Sequence, residues 1–400
     1  MKEKGISRRN FLSAGMLLTG GVVLSDPVSI LKSSYNDSPL GIGIIGTGSR
    51  GKGLASLLKD VPSIKLVACS DILPFHLKEA MQYGDADTRA YEDYHALLDD
   101  KKVDAVIIAT PFGTHAEIAL KALEADKHVF CEKTMSYGFG PTKELVQKSR
   151  SSGKIFQTGH QYHSSKLYHH VHNLIKSGYI GEVAHIESQW NRNGDWRRKV
   201  PDPKWEKLVN WRMYRDMSGG LTAELCSHQI DFVNWITDAH PVKVAGFGGI
   251  DYWKDGRETY DNVHLVTEYP NGLKATFTSL TTNAKDDYLI TVRGNKGTIV
   301  LDYTKAWLYA EHKRLSELGI VDGVSGATRK AWQSGEGSPI NVTHADPSLQ
   351  ALLDFEENIR KNKTPLSNAE TGAKVSVVVQ MALNAMDNNT VEYWKEEYNF

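Results

Sequence analysis

Residues 41–53 read GIGIIGTGSRGKG: an apolar run that breaks into glycines and then turns basic. The run has the continuous apolar pattern of a buried parallel strand, and Gly46, Gly48 and Gly51 follow it with the spacing G-x-G-x-x-G. Each glycine has its own task in such a turn. The first permits the tight bend, the second lets the backbone approach a pyrophosphate, and the third lets helix and strand pack closely. Ser49 and Arg50 then open a helix whose free N–H groups and positive dipole end suit a phosphate. A second strand, IKLVACS, ends at Asp71, 25 residues after Gly46. An acid there holds ribose hydroxyls and disfavours a 2′-phosphate. Together these features point to a dinucleotide, NAD in preference to NADP.

Downstream the same alternation continues. VDAVIIAT, HVFCE and IFQTG read as strands, separated by helical stretches such as HAEIALKALEAD and GPTKELVQKSRSSG. Strands alternating with helices of this length predict a doubly wound parallel sheet, a Rossmann domain over residues 40–160. The pattern then changes. Between 242 and 301, VKVAGFGGI, NVHLVTEY, LKATFTSLT, YLITVRG and GTIVLD alternate in the period of half-buried strands, with YPNGL and RGNKG as hairpin signals. This predicts a second α/β domain over 161–345 with a large open antiparallel sheet. Helical stretches in 346–400 are expected to pack on both domains.

The composition is that of a globular protein: 400 residues, 40% hydrophobic, 24% charged, net charge −1. That balance gives no electrostatic footprint for nucleic acid. Cys69, Cys131 and Cys226 are too few and too widely spaced for a disulfide framework or a zinc site. The basic character near the start belongs to residues 1–35. There Ser7, Arg8, Arg9, Asn10, Phe11 and Leu12 precede an apolar, glycine-containing stretch ending at Leu24. This resembles a twin-arginine signal, which implies export to the periplasm or beyond. The alternative is an amphipathic first helix or an anchor, although the stretch is short for a span. No later segment reads as transmembrane.

Four further motifs are more specific: ATPFGTH (109–115), CEKT (131–134), LIKSGYIGEV (174–183) and GGLTAELCSHQID (219–231). In this order and spacing the chain, from about 41 to 385, resembles the Gfo/Idh/MocA oxidoreductases. The resemblance implies nicotinamide-dependent chemistry on a sugar or cyclitol carbon, and a homo-oligomer, dimer or tetramer. Family members carry Glu-Lys-Pro where this chain has Glu132-Lys133-Thr134. The family helix reads roughly G-G-x-x-x-D-x-x-x-H, and here Glu224 replaces the aspartate, with His228 four residues on.

The residue types support that chemistry directly. Oxidising an alcohol requires a base for the hydroxyl proton, for which His228 is the candidate. Lys133 is placed to stabilise negative charge on the reacting oxygen. Glu224 and His228 stand i, i+4 on a helix, so a shared face would let the carboxylate orient the imidazole and favour its protonated form, or Glu224 would bind a neighbouring hydroxyl. Thr110, Pro111 and His115 follow one parallel strand and Glu132 ends the next, on the edge where ligands bind in such sheets; His115 is equally suited to helix capping. His160, Gln161, Tyr162 and His163 follow a strand end facing the cofactor and are candidates for substrate hydrogen bonding. Metal binding by this run, extended by His169, His170 and His172, is not specified by its mixed spacing. The loop over 190–217, rich in Trp and Arg, reads either as a sugar-binding surface through Asn191, Arg192 and Trp211, or as packing.

An exported nicotinamide enzyme would meet little free cofactor, so the sequence predicts NAD held tightly and regenerated in place. Three activities fit: oxidation of a sugar or glycoside hydroxyl, C3 included; a redox-neutral hydrolase that oxidises, eliminates, hydrates and re-reduces; and a sugar-binding protein that retains NAD.

Overall fold

The computed structural model describes residues 38–311 and 336–400. The twin-arginine-like leader lies outside them. The first sheet comprises β1 (Leu40–Ile45), β2 (Ile64–Ser70), β3 (Arg89–Tyr91), β4 (Ala105–Ile108), β5 (His128–Cys131) and β6 (Phe156–Thr158). All pairs are parallel and the order is β3-β2-β1-β4-β5-β6. Its connections are α1 (Ser49–Leu58), α2 (Pro74–Ala80), α3 (Tyr94–Leu98), α4 (His115–Glu124) and α5 (Phe139–Ser152). Central strands such as β4 are buried along their whole length, as required when helices cover both sheet faces. The order reverses between β1 and β4. A crevice therefore opens beyond their carboxyl ends, where Gly46 and Ala109 lie.

After α6 (Lys166–Lys176) the chain enters a nine-stranded sheet at β7 (Val183–Trp190). The short α7 (Glu206–Val209) and then α8 (Ser227–Thr237) precede β8 (Lys243–Gly249), β9 (Asn262–Glu268), β10 (Lys274–Leu280), β11 (Tyr288–Gly294), β12 (Gly297–Leu301) and β13 (Ala306–Ala310). β14 (Ser338–Ile340) and β15 (Glu392–Tyr393) complete it, in the order β14-β13-β12-β11-β7-β10-β9-β8-β15. Both hairpin signals join antiparallel neighbours, β9 to β10 and β11 to β12. The sheet is nevertheless mixed. β7 arrives from the first domain and inserts between two antiparallel arms, so it runs parallel to β10 and antiparallel to β11. Alternation within each strand could not reveal that pairing. One face is apolar and packs beneath α6, α8 and the last long helix.

The chain then returns. α9 (Pro347–Lys361) is capped by Asp346, which accepts from the N–H groups of Ser348 and Leu349. Its Leu352 and Phe355 pack on the first sheet. α10 (Ala369–Asn388) gives Ala369 and Ala373 to one core of the first domain, and Val375 through Met386 to the core under the second sheet. Among the described residues no helix is long and apolar enough to cross a membrane.

A Cβ added at Gly51 would lie 2.0 Å from the Gly46 carbonyl oxygen, whereas one at Gly53, in the same helix, would meet nothing within 4 Å. Gly51→Ala is expected to destabilise the protein by about 1–3 kcal/mol. Gly53→Ala should be neutral or stabilising by up to ~1 kcal/mol. Paired denaturant melts check this; equal effects would refute the close packing of α1 on β1.

Candidate active site

The glycine turn is built as its spacing requires. Gly46 has φ +85°, and a Cβ there would stand 2.6 Å from the Thr110 amide nitrogen. Gly48 caps α1 with no side-chain hydrogen bond, and a Cβ on it would meet only His76, at 3.9 Å. The helix therefore presents unblocked N–H groups to open space, a cradle that suits a pyrophosphate. Asp71 is fixed at the next strand end. Its Oδ2 accepts from the Thr47 amide at 2.7 Å and the Thr47 hydroxyl at 3.1 Å, and its Oδ1 accepts from the Leu73 amide at 2.8 Å. A cavity of about 1010 Å³ runs from this turn, past Asp71, to Lys133, Glu224 and His228. The residues present thus fit a dinucleotide.

At the other end the two domains are tied together. Thr222–Cys226 forms one turn of π-helix ahead of α8. Lys133 Nζ donates to the Glu224 carbonyl at 3.0 Å, and the Thr134 hydroxyl donates to the Ala223 carbonyl at 3.1 Å. The Lys133–Thr134 peptide bond is cis, at the point where the family carries proline. Arg50 Nε donates to Glu132 Oε1 at 2.7 Å and its Nη1 to the Ser348 hydroxyl at 3.1 Å, joining the glycine loop to β5 and α9. His115 braces the same region, with Nδ1 at 2.8 Å from the Thr134 carbonyl and Nε2 at 2.9 Å from that of Thr110. Burial outweighs those contacts and lowers its pKa.

His228 is enclosed by Trp190, Tyr162 and His160, at ring-centroid distances of 5.4, 5.5 and 5.8 Å. Its Nδ1 is buried without a partner, which leaves Nε2 for a ligand. Burial, reinforced by the charges of Lys133, His160 and Arg50, pushes its pKa well below the ordinary 6.5. One of the two roles expected of Glu224, positioning His228, is corrected here. The Glu224 Oε2 accepts from Arg212 Nε at 2.8 Å and bonds nothing on His228. Burial works against the Glu224 carboxylate, but Lys133 and Arg212 overcome it and hold its pKa low. The π-turn widens the helix between the two residues, so the simple i, i+4 relation does not survive.

Other expected residues divide cleanly. Ser49, Arg50, Thr110, Pro111 and His115 line the cavity from the first domain, as does Glu132; Gln161, Arg192 and Trp211 line it from beyond. His160, Tyr162, His163 and Asn191 do not. His160 is 1% exposed, with Nδ1 3.2 Å from the Thr158 hydroxyl. Tyr162 stacks on Tyr168 at 4.3 Å. His163 Nε2 lies 2.9 Å from Asp231 Oδ2 and its ring stacks on Trp235 at 4.4 Å. His169 and His172 also pack on Trp235, so much of the histidine run wraps one indole. Asn191 Nδ2 donates to the Lys285 carbonyl at 3.2 Å, away from the cavity. Sequence reasoning missed Arg212 and Arg198, whose only signal was their place in the Trp-Arg pairs of the 190–217 loop.

Residues 40–160 match the oxidoreductase family with an NAD-binding Rossmann fold, and residues 168–300 match the GFO/IDH/MocA C-terminal domain. The 2,7-anhydro-N-acetylneuraminate hydratase of Escherichia coli (strain K12) is 30% identical over 209 residues, 52% of this chain and 54% of that protein. The match thus spans about half the length of that relative. The myo-inositol 2-dehydrogenase of Thermotoga maritima is 25% identical over 342 residues, 83% of this chain and 91% of that one. A solved structure of levoglucosan dehydrogenase in complex with NADH shares the fold with a TM-score of 0.73 at 17% identity, over 89% of this chain and 99% of that one. This chain belongs to the Gfo/Idh/MocA family of oxidoreductases, with an N-terminal NAD-binding domain followed by the family's C-terminal domain.

Proposed function

We propose that the protein is an exported, NAD-dependent oxidoreductase acting on a sugar or glycoside hydroxyl, C3 being a chemically useful position, with the cofactor held tightly and regenerated in place. The observation that carries this reading is the meeting of Lys133 and His228 in one cavity with the glycine turn. The glycine turn and Asp71 would hold the dinucleotide, and a bound nicotinamide would supply the hydride acceptor for the carbinol carbon. His228 Nε2 takes the hydroxyl proton, and its depressed pKa keeps it neutral and ready to do so. Lys133, held by the Glu224 carbonyl, donates to the reacting oxygen. Glu224 Oε1 remains for a neighbouring hydroxyl, since Arg212 occupies Oε2.

The acid at Asp71 supports NAD over NADP. Tight retention is supported by the 190–217 loop, which reaches across the crevice: Trp196, Arg197 and Arg198 line the cavity, and the Trp205 ring lies 6.4 Å from that of Phe75 in α2. Export rests on the twin-arginine-like leader. A dimer or tetramer is supported by the open face of the second sheet, where Phe247 is 75% and Val266 48% exposed. The redox-neutral cycle is the second reading, because one relative is named as a hydratase and hydration involves no net oxidation.

Mass spectrometry of glycosides incubated with the as-purified protein and a ketone or sugar acceptor tests the reading. A product two hydrogens lighter, glycosidic bond intact, is expected; free sugar without net oxidation would select the redox-neutral cycle. Lys133→Ala should lower kcat by about 10²–10³-fold, while an unchanged rate would leave a sugar-binding protein that retains NAD. Because His228 must be neutral to act, and its pKa lies below 6.5, the acid limb of kcat/KM is expected below that pH. A limb at or above pH 7 would exclude His228 as the base. Denaturing the as-purified protein should release NAD, read by chromatography; a nucleotide-free preparation that binds NAD weakly would contradict tight retention.

A further inference from the structure

The reacting end of the cavity has more positive than negative charge. Two carboxylates, Glu132 and Glu224, face it, and each is already bonded to an arginine, Arg50 and Arg212 respectively. Arg197 is paired with Glu206 and Asp255. Lys133, Arg192 and Arg198 also line the cavity, and no carboxylate among the described residues pairs with them. Lys133 is engaged by the reacting oxygen. Arg198 lies between the two ends: its charge acts on His76, the side chain nearest Gly48, and it shares the field of Glu224 with Arg212. Arg192 is left over, on the Trp190 side of the reacting groups. Its guanidinium lies 5.1 Å from the centre of the Trp190 ring, and that ring is 5.4 Å from His228 and 5.6 Å from Tyr303. The oxidised nicotinamide ring is itself cationic and would add to the excess.

We infer that the substrate is an anionic sugar, whose carboxylate or sulfate group is bound by Arg192. This rests on the sugar-oxidoreductase reading above. A neutral hydroxyl can accept from a guanidinium but leaves its charge uncompensated. An oxoanion satisfies both, and a carboxylate does so with two parallel hydrogen bonds. The Trp190 ring behind the guanidinium, 5.1 Å from it, favours the cation at this wall of the cavity.

The test uses the as-purified full chain with matched substrates: a panel of uronides and sialosides, the corresponding neutral glycosides and 6-sulfated glycosides. Turnover is read by mass spectrometry, and binding independently by thermal shift. The anionic members are expected to exceed their neutral partners in kcat/KM by about tenfold or more. Arg192→Gln should abolish that preference and Arg192→Lys retain part of it, with both variants checked for a wild-type melting temperature in the absence of sugar. Preference for uronides over sulfated sugars identifies a carboxylate; equal use identifies a general oxoanion site. A preference for neutral sugars, or an anion preference that survives in Arg192→Gln, overturns the inference. Anion-dependent stabilisation lost in Arg192→Gln, without any turnover, would support the anion site while refuting the oxidoreductase reading. No stabilisation and no turnover with any anionic sugar overturns it.

Discussion

Two carbonyl groups of the π-turn, those of Ala223 and Glu224, are the point on which the site depends. In a continuous α-helix they would bond within the helix. Here side chains from the end of β5 reach across and occupy them: Thr134 on Ala223 and Lys133 on Glu224. Ser227 also donates to the Ala223 carbonyl, at 2.6 Å. One irregular turn thereby fixes the Lys133 ammonium and sets where α8 begins, and with it the position of His228. Lys133 follows the first sheet and His228 lies on α8 beneath the second, yet two hydrogen bonds across the junction set their spacing.

Charge is distributed around that junction with a consistent logic. Carboxylates buried at the junction carry arginine partners, because an unpaired buried charge is costly. The histidine among them has no acid beside it and is held neutral by burial. Positive charge at the lysine reinforces that neutrality and also favours negative charge on a bound oxygen. The same field therefore prepares the base to receive a proton and the substrate to release one.

Much of this was legible from sequence because it is local. The glycine spacing, Asp71 at a strand end, Lys133 after β5 and His228 after a glycine pair are determined within about a dozen residues of chain, and the strand and hairpin patterns repeat at short range. What could not be read depends on where distant segments meet. Glu224 looked like the partner of His228 because regular helix spacing was assumed; one wide turn and an arginine from the preceding loop changed that. His160, Tyr162 and His163 looked exposed to the cavity because they follow a strand end, but α8, with Asp231, lies over part of that segment and Tyr168 over another. Asn191 immediately precedes Arg192, yet pairing of β7 with β11 turns it toward the 285–287 turn. The parallel β7–β10 contact likewise depends on insertion order, which has no signature within either strand.

The return of α9 and α10 to the first domain has a consequence for how that domain is completed. Ser348 touches Arg50 of the glycine loop, Phe355 packs edge-on against Phe130 at 5.7 Å, and the Ser367 carbonyl accepts from the Thr158 amide at 2.8 Å. The nucleotide-binding half therefore takes part of its core and one anchor of its phosphate loop from helices that follow the main strands of the second sheet in sequence. The phosphate loop thus reaches its finished form only when α9 and α10 have folded back onto the first domain.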